Sequence, residues 1–327
     1  MIPVTKPFIP PIEDYKKLLD GIWDRNWLTN NGPLVNQLEL SLKEYLDVPH
    51  LLYLSNGTIA LQIAIKALGI TKKIITTPFS YVATTSSIVW EGCTPVYVDI
   101  DPLTLNIDPS KIEAVIEDDT EAILATHCFG NPCDIDAIDK IAQKYNLKVI
   151  YDAAHCFGTI YKGKSIFNYG DISAVSFHAT KLYHTIEGGA VVTQNPDLLK
   201  RMSFMRNFGH NGPEKFNGIG INGKNSEFHA AMGIINLEYV DKILKRRKKA
   251  SDKYDYYLSH KAFDRPIIGD KAESNYSYYP IILRDSIERD EVISILESNN
   301  IYPRKYFSPS LSQLDYVEGV TPISDNI

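Results

Sequence analysis

The chain has 327 residues, of which 44% are hydrophobic and 23% charged, and its formal net charge is -6. This composition is that of an ordinary globular protein, and the length predicts a large and a smaller domain. The acidic balance argues against general binding to nucleic acids or anionic membranes, while leaving room for a local basic pocket that binds a phosphate. No apolar run approaches the roughly 20 residues of a membrane-spanning helix, and residues 1–7 lack the blocks of a signal peptide. We therefore predict a cytoplasmic protein with neither nucleic acid nor membrane as a partner.

Apolar strands and amphipathic helices alternate along the first two thirds of the chain. Helices are predicted at Ile12–Asn26, Leu34–Leu46, Ile59–Leu68, Ala83–Glu91, Pro109–Ile116 and Ile135–Tyr145. Strands are predicted at Leu51–Leu54, Lys73–Thr76, Pro95–Val98, Ala122–Thr126, Lys148–Tyr151, Ala174–Phe177 and Ala190–Thr193. Strands separated by helices indicate an α/β fold with a mostly parallel, seven-stranded sheet and right-handed crossovers. Ligands of such sheets bind at the carboxyl ends of the strands.

The pattern changes after residue 225. Ser226–Leu244 is predicted as a helix, and a following helix carries the basic run Lys245–Lys249. We interpret this run as a solvated helix face, because the acidic balance of the chain does not favour a nucleic-acid surface. Tyr276–Leu283, the helix Glu288–Ser298 and Ile301–Pro303 then indicate a smaller C-terminal α/β domain.

The four cysteines are predicted to be reduced and buried. Cys128 and Cys133 lie five residues apart, which is not the C-x₂-C spacing of common zinc sites. The other two are Cys93 and Cys156. We predict no metal site.

Two strand ends carry residues suited to a flat, phosphorylated ligand. Ser55–Leu61 opens a helix, so that backbone N–H groups and the helix dipole favour a phosphate there. An ordinary capped helix start is the alternative. Pro78–Thr84 follows the next strand and carries Tyr81, whose ring either stacks on a flat ligand or packs in the core.

Two further strand ends carry ionisable residues. Asp152 opens the run Asp152–His155, where a buried carboxylate needs a partner such as a protonated heterocyclic nitrogen; capping the next segment is the alternative. Lys181 ends the run Ser176–Lys181, and the glycines in Glu187–Ala190 permit a close approach to a ligand. Desolvation would lower the pKa of this lysine and make its amine nucleophilic toward a carbonyl, whereas a solvated surface lysine is the alternative.

One ligand would use these features together. Pyridoxal phosphate (PLP) has a phosphate, an aromatic ring, a pyridine nitrogen and an aldehyde that condenses with lysine. The order of the features along successive strand ends therefore predicts PLP as the cofactor, with pyridoxamine phosphate (PMP) as its aminated form during turnover.

These motifs resemble those of the DegT/DnrJ/StrS family of PLP-dependent nucleotide-sugar aminotransferases, which have the fold-type-I architecture. The resemblance extends from Ile2 to about Pro322 and rests on Asn56–Thr58, Tyr151–His155, Ser176–Lys181, Glu187–Gly189 and Gly220–Lys224. It implies a large PLP-binding domain at residues 1–240, with an N-terminal helical segment, and a smaller C-terminal domain at residues 241–327. Family members usually continue with a strand and a final helix, so we expect the end of the small domain to be incomplete.

The resemblance also implies roles for individual residues. Lys181 and Asp152 would be the catalytic pair, with Lys181 bound to the cofactor aldehyde and Asp152 paired with the pyridinium nitrogen. The other cofactor contacts would be Gly57, Thr58 and Ser176 at the phosphate, Tyr81 stacked on the ring, His155 near the ring and its hydroxyl, and Asn222 at the phosphate of the neighbouring subunit's cofactor. Such an arrangement requires a homodimer with shared active sites. The substrate would contact Asn30, Lys224 and Arg304.

The implied activity is transamination of a nucleotide-linked keto-sugar. Ile2–Pro7 and the loop Trp27–Pro33 most resemble enzymes that convert dTDP-4-keto-6-deoxy-D-glucose to dTDP-4-amino-4,6-dideoxy-D-glucose. L-glutamate would donate the amine and leave as 2-oxoglutarate, and the product would enter O-antigen or other surface polysaccharides. Lys181 favours transamination, because family members that act as dehydratases carry histidine at this position. The alternatives are a C3 aminotransferase acting on a dTDP-3-keto-6-deoxyhexose and a non-catalytic PLP-binding or structural protein.

Overall fold

A computed structural model describes residues 1–259, 263–317 and 323–325. In these residues the strands are β1 (Ile2–Pro3), β2 (His50–Leu54), β3 (Lys73–Thr76), β4 (Thr94–Tyr97), β5 (Thr120–Thr126), β6 (Lys148–Asp152), β7 (Ile160–Tyr161), β8 (Lys164–Ser165), β9 (Ile172–Ser176), β10 (Gly189–Thr193), β11 (Ala272–Glu273) and β12 (Ile301–Tyr302). The helices are α1 (Ile12–Arg25), α2 (Pro33–Leu46), α3 (Gly57–Ala67), α4 (Val82–Trp90), α5 (Ile135–Tyr145), α6 (Pro196–Met205), α7 (Glu227–Leu258) and α8 (Ser286–Ser298).

A seven-stranded sheet in the order β2-β10-β9-β6-β5-β3-β4 forms the centre of the protein. Its strands are parallel except β10, which runs antiparallel to both of its neighbours. Successive side chains of β5 enter different cores: Ala122 and Leu124 pack on one face, and Ile123 and Ala125 on the other. Both faces are covered, which explains why the strands read as continuous apolar runs. The predicted α/β fold with a mostly parallel sheet is confirmed.

Two helix predictions were wrong in detail. Pro109–Ile116 forms two separate 3₁₀ turns, Pro109–Lys111 and Glu113–Val115, because Ile112 is the one side chain of this segment that is fully buried and anchors little more than a turn. The helix at Ser226–Leu244 does not end before the basic run. It continues through Lys245–Lys249 as part of α7, since residues 234–258 contain no glycine or proline and are mostly good helix formers.

The C-terminal part is more irregular than the sequence indicates. Among the described residues, Tyr276–Leu283 forms no strand and its β-type pairing is a single bridge between Ile282 and Asp264, in keeping with Pro280, which lacks the N–H that a ladder needs. Helix α8 is present as predicted, and β12 pairs in parallel with β1 at the N-terminus. The boundary after residue 240 falls within α7 and stays a prediction.

The structure accounts for all four cysteines, which are free and buried as the sequence predicts. Across the described ranges, every helix is too short or too polar to traverse a lipid bilayer.

Candidate active site

Loops that follow strands of the central sheet meet at one edge, because parallel strands end on the same side of a sheet. The start of α3 lies against the end of β9, since a Cβ placed on Gly57 would be 2.9 Å from Ser176 Cβ. The start of β10 lies against the same turn, since a Cβ on Gly189 would be 2.4 Å from the carbonyl carbon of Asn56. The turn predicted to bind phosphate and the segment that carries the lysine are therefore in direct contact.

The turn predicted to bind phosphate, called the phosphate turn below, consists of Asn56–Thr58 at the N-terminus of helix α3. Asn56 caps this helix, and its Oδ1 accepts a hydrogen bond from the N–H of Ile59 at 2.8 Å. Gly57 and the exposed Thr58 form the first turn, with Ser176 alongside. The positive end of the helix dipole and two neighbouring hydroxyl groups suit a phosphate.

Replacing Gly189 by alanine should destabilise the protein and the phosphate turn. The new Cβ would lie 2.5 Å from the carbonyl oxygen of Asn56 and 2.7 Å from the backbone nitrogen of Gly57, which are backbone atoms that cannot rotate away. We expect a loss of about 3 kcal/mol in the free energy of unfolding, measured with urea. Gly269→Ala is the control, because nothing in the described structure lies within 4 Å of its Cβ position. Equal stability of the two variants would contradict the close approach.

Asp152 ends β6 and is almost completely buried. Its Oδ2 accepts a hydrogen bond from Thr84 Oγ1 at 2.7 Å, and its Oδ1 accepts one from the N–H of Ala154 at 3.2 Å. Burial raises the pKa of Asp152, whereas these hydrogen bonds and the charge of Lys181 act to lower it. A buried carboxylate of this kind is suited to a cationic group on a ligand.

Lys181 follows β9 and is half-buried, with its backbone N–H donating to the carbonyl of His178 at 2.9 Å. Burial lowers the pKa of its ammonium group, the charge of Asp152 opposes this effect, and the positive charge of Arg304 reinforces it. The fold therefore brings Arg304, from the C-terminal part, into electrostatic range of Lys181. A lysine with a lowered pKa has a larger fraction of free amine, which is the nucleophilic form.

His155 is buried in a group of aromatic rings next to Lys181. Its ring is parallel to those of Phe129 and Phe307, with centroids 6.4 Å away in each case, and Tyr278 lies 4.7 Å away. Its Nδ1 accepts a hydrogen bond from the N–H of Phe129 at 3.3 Å, so the proton of the neutral ring lies on Nε2. Burial and the charge of Lys181 lower the pKa of His155 well below its ordinary value, which keeps the ring neutral.

The sequence did not reveal several residues of this region. Phe129 follows the carboxyl end of β5, so the rule that ligands gather at strand ends could have found it. Phe307 and Tyr278 come from the C-terminal part, and no local pattern connects them with the sheet. Thr84 lies on α4, where it reads as an ordinary helical residue.

Three other predicted residues lie at the surface. Tyr81 precedes α4 and its side chain is 56% exposed. Asn222 is exposed, and its Oδ1 accepts a hydrogen bond from Lys224 Nζ at 2.7 Å. The loop that carries Asn222 and Lys224 is fixed to the end of β2, because the N–H of Ser55 donates to the carbonyl of Gly223 at 2.9 Å. The roles of these side chains toward cofactor and substrate stay predictions.

Asn30 lies in a loop that a buried carboxylate holds in place. The side chain of Glu227 is fully buried, and its two oxygens accept hydrogen bonds from the N–H groups of Leu34 and Val35 at 3.0 and 2.9 Å. Its own N–H donates to the carbonyl of Leu28 at 3.0 Å. Glu227 thereby caps α2 from a distant helix and fixes both ends of the loop, a role that the sequence did not indicate.

The variant Glu227→Gln should loosen this loop. The amide would present a donor where the structure needs two acceptors, which should cost about 2 kcal/mol of unfolding free energy. We also expect faster cleavage by chymotrypsin at Trp27 and Leu28. Glu238→Gln, an exposed position on the same helix, is the matched control. The capping role fails if Glu227→Gln and Glu238→Gln unfold and are cleaved alike.

The residues present fit PLP. A helix N-terminus packed against Ser176 suits the phosphate, buried Asp152 suits a protonated pyridine nitrogen, and the amine of Lys181 suits the aldehyde. With the strand order described above, this set of groups defines a PLP-dependent enzyme of fold type I.

The chain belongs to the DegT/DnrJ/EryC1/StrS aminotransferase family, whose model matches residues 12–325. It is 44% identical over 326 residues to a dTDP-4-amino-4,6-dideoxy-D-glucose transaminase of Shigella dysenteriae, and the alignment covers 98% of this chain and 89% of that protein. A transaminase of the same name from Escherichia coli is 40% identical, with 100% and 89% of the two chains covered.

Solved structures agree with this assignment. The structure of DesI in the presence of its TDP-sugar product has a TM-score of 0.93 and 31% identity, covering 99% of this chain and 85% of that one. Spr1654 of Streptococcus pneumoniae, solved in its PLP-form, has a TM-score of 0.87 and 25% identity, covering 96% of this chain and 86% of that one. The protein is therefore a PLP-dependent sugar aminotransferase, as the sequence predicted.

Proposed function

We propose that the enzyme converts dTDP-4-keto-6-deoxy-D-glucose to dTDP-4-amino-4,6-dideoxy-D-glucose with L-glutamate as the amine donor. The observation that carries this proposal is the 44% identity, over almost the whole chain, to a transaminase named for that product. A cytoplasmic location and a role in making O-antigen or another surface polysaccharide are part of the same proposal.

The chain's own residues have distinct tasks in this reaction. When bound, PLP supplies an aldehyde that condenses with amines and a pyridine ring that accepts the electrons of a carbanion. Asp152 holds the positive charge at the pyridine nitrogen. Lys181 Nζ removes the proton from the α-carbon of glutamate, and in the second half-reaction it delivers a proton to C4 of the sugar as a general acid. The lowered pKa of Lys181 suits both roles, because the group gains and loses its proton readily.

Cationic side chains are the proposed contacts for the acidic substrates. Lys224 would bind the pyrophosphate of the sugar nucleotide, with Phe208 under its ammonium group at 4.6 Å. Arg304, whose charge acts on Lys181, would bind a substrate close to the reacting atoms. Asn30, held by the loop that Glu227 fixes, would contact the sugar nucleotide.

Product identification tests the proposed function. The purified protein, loaded with PLP, is incubated with dTDP-4-keto-6-deoxy-D-glucose and L-glutamate, and the sugar is examined by NMR. We expect an amine at C4 and one 2-oxoglutarate formed for each sugar aminated. Absence of product with this sugar would overturn the proposal. Amination of a dTDP-3-keto-6-deoxyhexose instead would favour the C3 alternative, and absence of transamination with either sugar would favour the non-catalytic one.

We also propose that two subunits share each active site. Asn222 is exposed and pairs with the half-buried Lys224, and their loop is anchored to the end of β2. In the proposed dimer this loop would reach the site of the second subunit. A mixture of Lys181→Ala protein with Asn222→Ala/Lys224→Ala protein should gain activity as subunits exchange, because one site of the mixed dimer then contains only native residues.

The control for this mixing experiment uses two residues that the proposal assigns to the same subunit's part of the active site. Lys181→Ala mixed with Asp152→Asn should stay inactive, since both residues come from the same chain and every site retains one defect. If exchange is demonstrated with labelled subunits and the first mixture also stays inactive, the loop serves the site of its own subunit or no site.

A further inference from the structure

Three buried hydroxyl groups form a chain that ends on Asp152. Thr126 Oγ1 lies 2.9 Å from Ser80 Oγ, which lies 2.7 Å from Thr84 Oγ1, which lies 2.7 Å from Asp152 Oδ2. Ser80, Thr84 and Thr126 are at most 4% exposed. They come from the loop after β3, from α4 and from the end of β5, so only the assembled sheet brings them together.

The direction of each hydrogen bond follows from the carboxylate. An ionised carboxylate can only accept, so Thr84 donates to Asp152, and each hydroxyl has a single proton to donate. Ser80 must then donate to Thr84, and Thr126 must donate to Ser80. All three O–H dipoles therefore point toward Asp152, an arrangement in which each bond strengthens the next.

Both carboxylate oxygens of Asp152 are held, Oδ2 by this chain and Oδ1 by the N–H of Ala154. Because one donor holds each oxygen, the carboxylate plane cannot rotate without breaking a buried bond. Among the described residues, the ammonium of Lys181 is the charge that acts on Asp152, and the charge of Asp152 in turn acts on the buried thiols of Cys128 and Cys156. Burial of these thiols raises their pKa values well above the ordinary range, so they are neutral and add no charge.

We propose that Thr126, Ser80 and Thr84 are positioning residues that orient the carboxylate of Asp152 and stabilise its negative charge. Asp152 is then ready to bind a protonated pyridine nitrogen before the cofactor arrives. The inference rests on the role proposed above for Asp152, but its physical content, the ionisation and orientation of one carboxylate, exists in the protein without cofactor or sugar.

The test uses Thr84→Val, which keeps the shape of the side chain and removes the donor. Apoprotein labelled with ¹³Cγ-aspartate is titrated by NMR, with Asp152→Asn identifying the Asp152 signal. We expect the titration of Asp152 to move to higher pH, because a donor to the charged form has been removed. The dissociation constant of PLP, measured by equilibrium dialysis, should rise about tenfold. Thr84→Ser restores the hydroxyl and should restore both values.

Thr85→Val is the matched control, because Thr85 is equally buried on α4 but its hydroxyl lies 3.0 Å from that of Tyr97 instead. Ser80→Ala and Thr126→Val should also move the titration of Asp152 to higher pH, Ser80→Ala by more than Thr126→Val. If Thr84→Val does not fold, Ser80→Ala replaces it as the test variant. An unchanged titration of Asp152 in Thr84→Val or Ser80→Ala would overturn the proposal. A different sugar specificity would overturn the proposed function and leave this titration result standing.

Discussion

The variant Lys181→Ala should lose transamination by at least about a thousandfold, equivalent to roughly 4 kcal/mol of activation free energy. In the proposed mechanism this side chain supplies both the amine that binds the cofactor aldehyde and the group that moves the proton at the α-carbon, so one substitution would remove two functions. Burial lowers the pKa of this amine in the native protein, a property that alanine cannot replace. Turnover is measured as 2-oxoglutarate formation, and the absorbance of the lysine-linked cofactor should disappear in parallel.

Two further variants show whether the amine itself is responsible. Lys140→Ala, an exposed lysine on α5, should leave both turnover and absorbance unchanged. Lys181→Arg keeps the positive charge but not the nucleophile, so it should be as inactive as the alanine variant. Turnover within tenfold of the wild type in Lys181→Ala would remove Lys181 from the mechanism.

The variant Asp152→Asn should slow turnover by at least about a hundredfold, or about 2.7 kcal/mol of barrier. Asparagine cannot balance the charge of a protonated pyridine nitrogen, so the cofactor ring should withdraw electrons less effectively. Asp171→Asn is the control, because this carboxylate accepts a hydrogen bond from the N–H of Val149 at the other end of β6 and lies away from the site. A variant at Asp152 that keeps half of the native rate would refute its role.

Stability measurements separate this loss of function from misfolding. Burial raises the pKa of Asp152 in the folded protein, so its ionised form costs stability once the pH exceeds the unfolded-state pKa. Unlike the two backbone N–H groups that Glu227 accepts from, the Thr84 hydroxyl can rotate to accept from the new amide, so Asp152→Asn leaves no donor facing a donor. The Asp152→Asn apoprotein should therefore resist urea at pH 7 at least as well as the wild type, and the difference should shrink as the pH falls and Asp152 becomes protonated. A strongly destabilised variant at neutral pH would contradict this account.

The sheet could be predicted from the sequence because its strands are buried on both faces. Runs such as residues 122–125 are apolar throughout, and helices separate them, which together indicate parallel pairing. The predicted first and last residues of the strand Lys73–Thr76 and of the helix Ile135–Tyr145 are those of the structure. Pro109–Ile116 was predicted poorly because periodicity alone does not show how much of a segment the core can bury.

By itself the sequence determined which chemical groups stand at the strand ends: Asp152, Lys181 and the turn at Asn56–Thr58 each follow a recognisable apolar run. Tertiary structure alone decided what surrounds those groups. Three features join residues from separate parts of the sequence. They are the effect of Arg304 on the pKa of Lys181, the cap that Glu227 supplies to α2, and the chain of hydroxyl groups that ends on Asp152. The reason is physical: burial, charge and hydrogen-bond direction act through space over a few ångströms, and a local pattern holds no information about which distant residue will occupy that space.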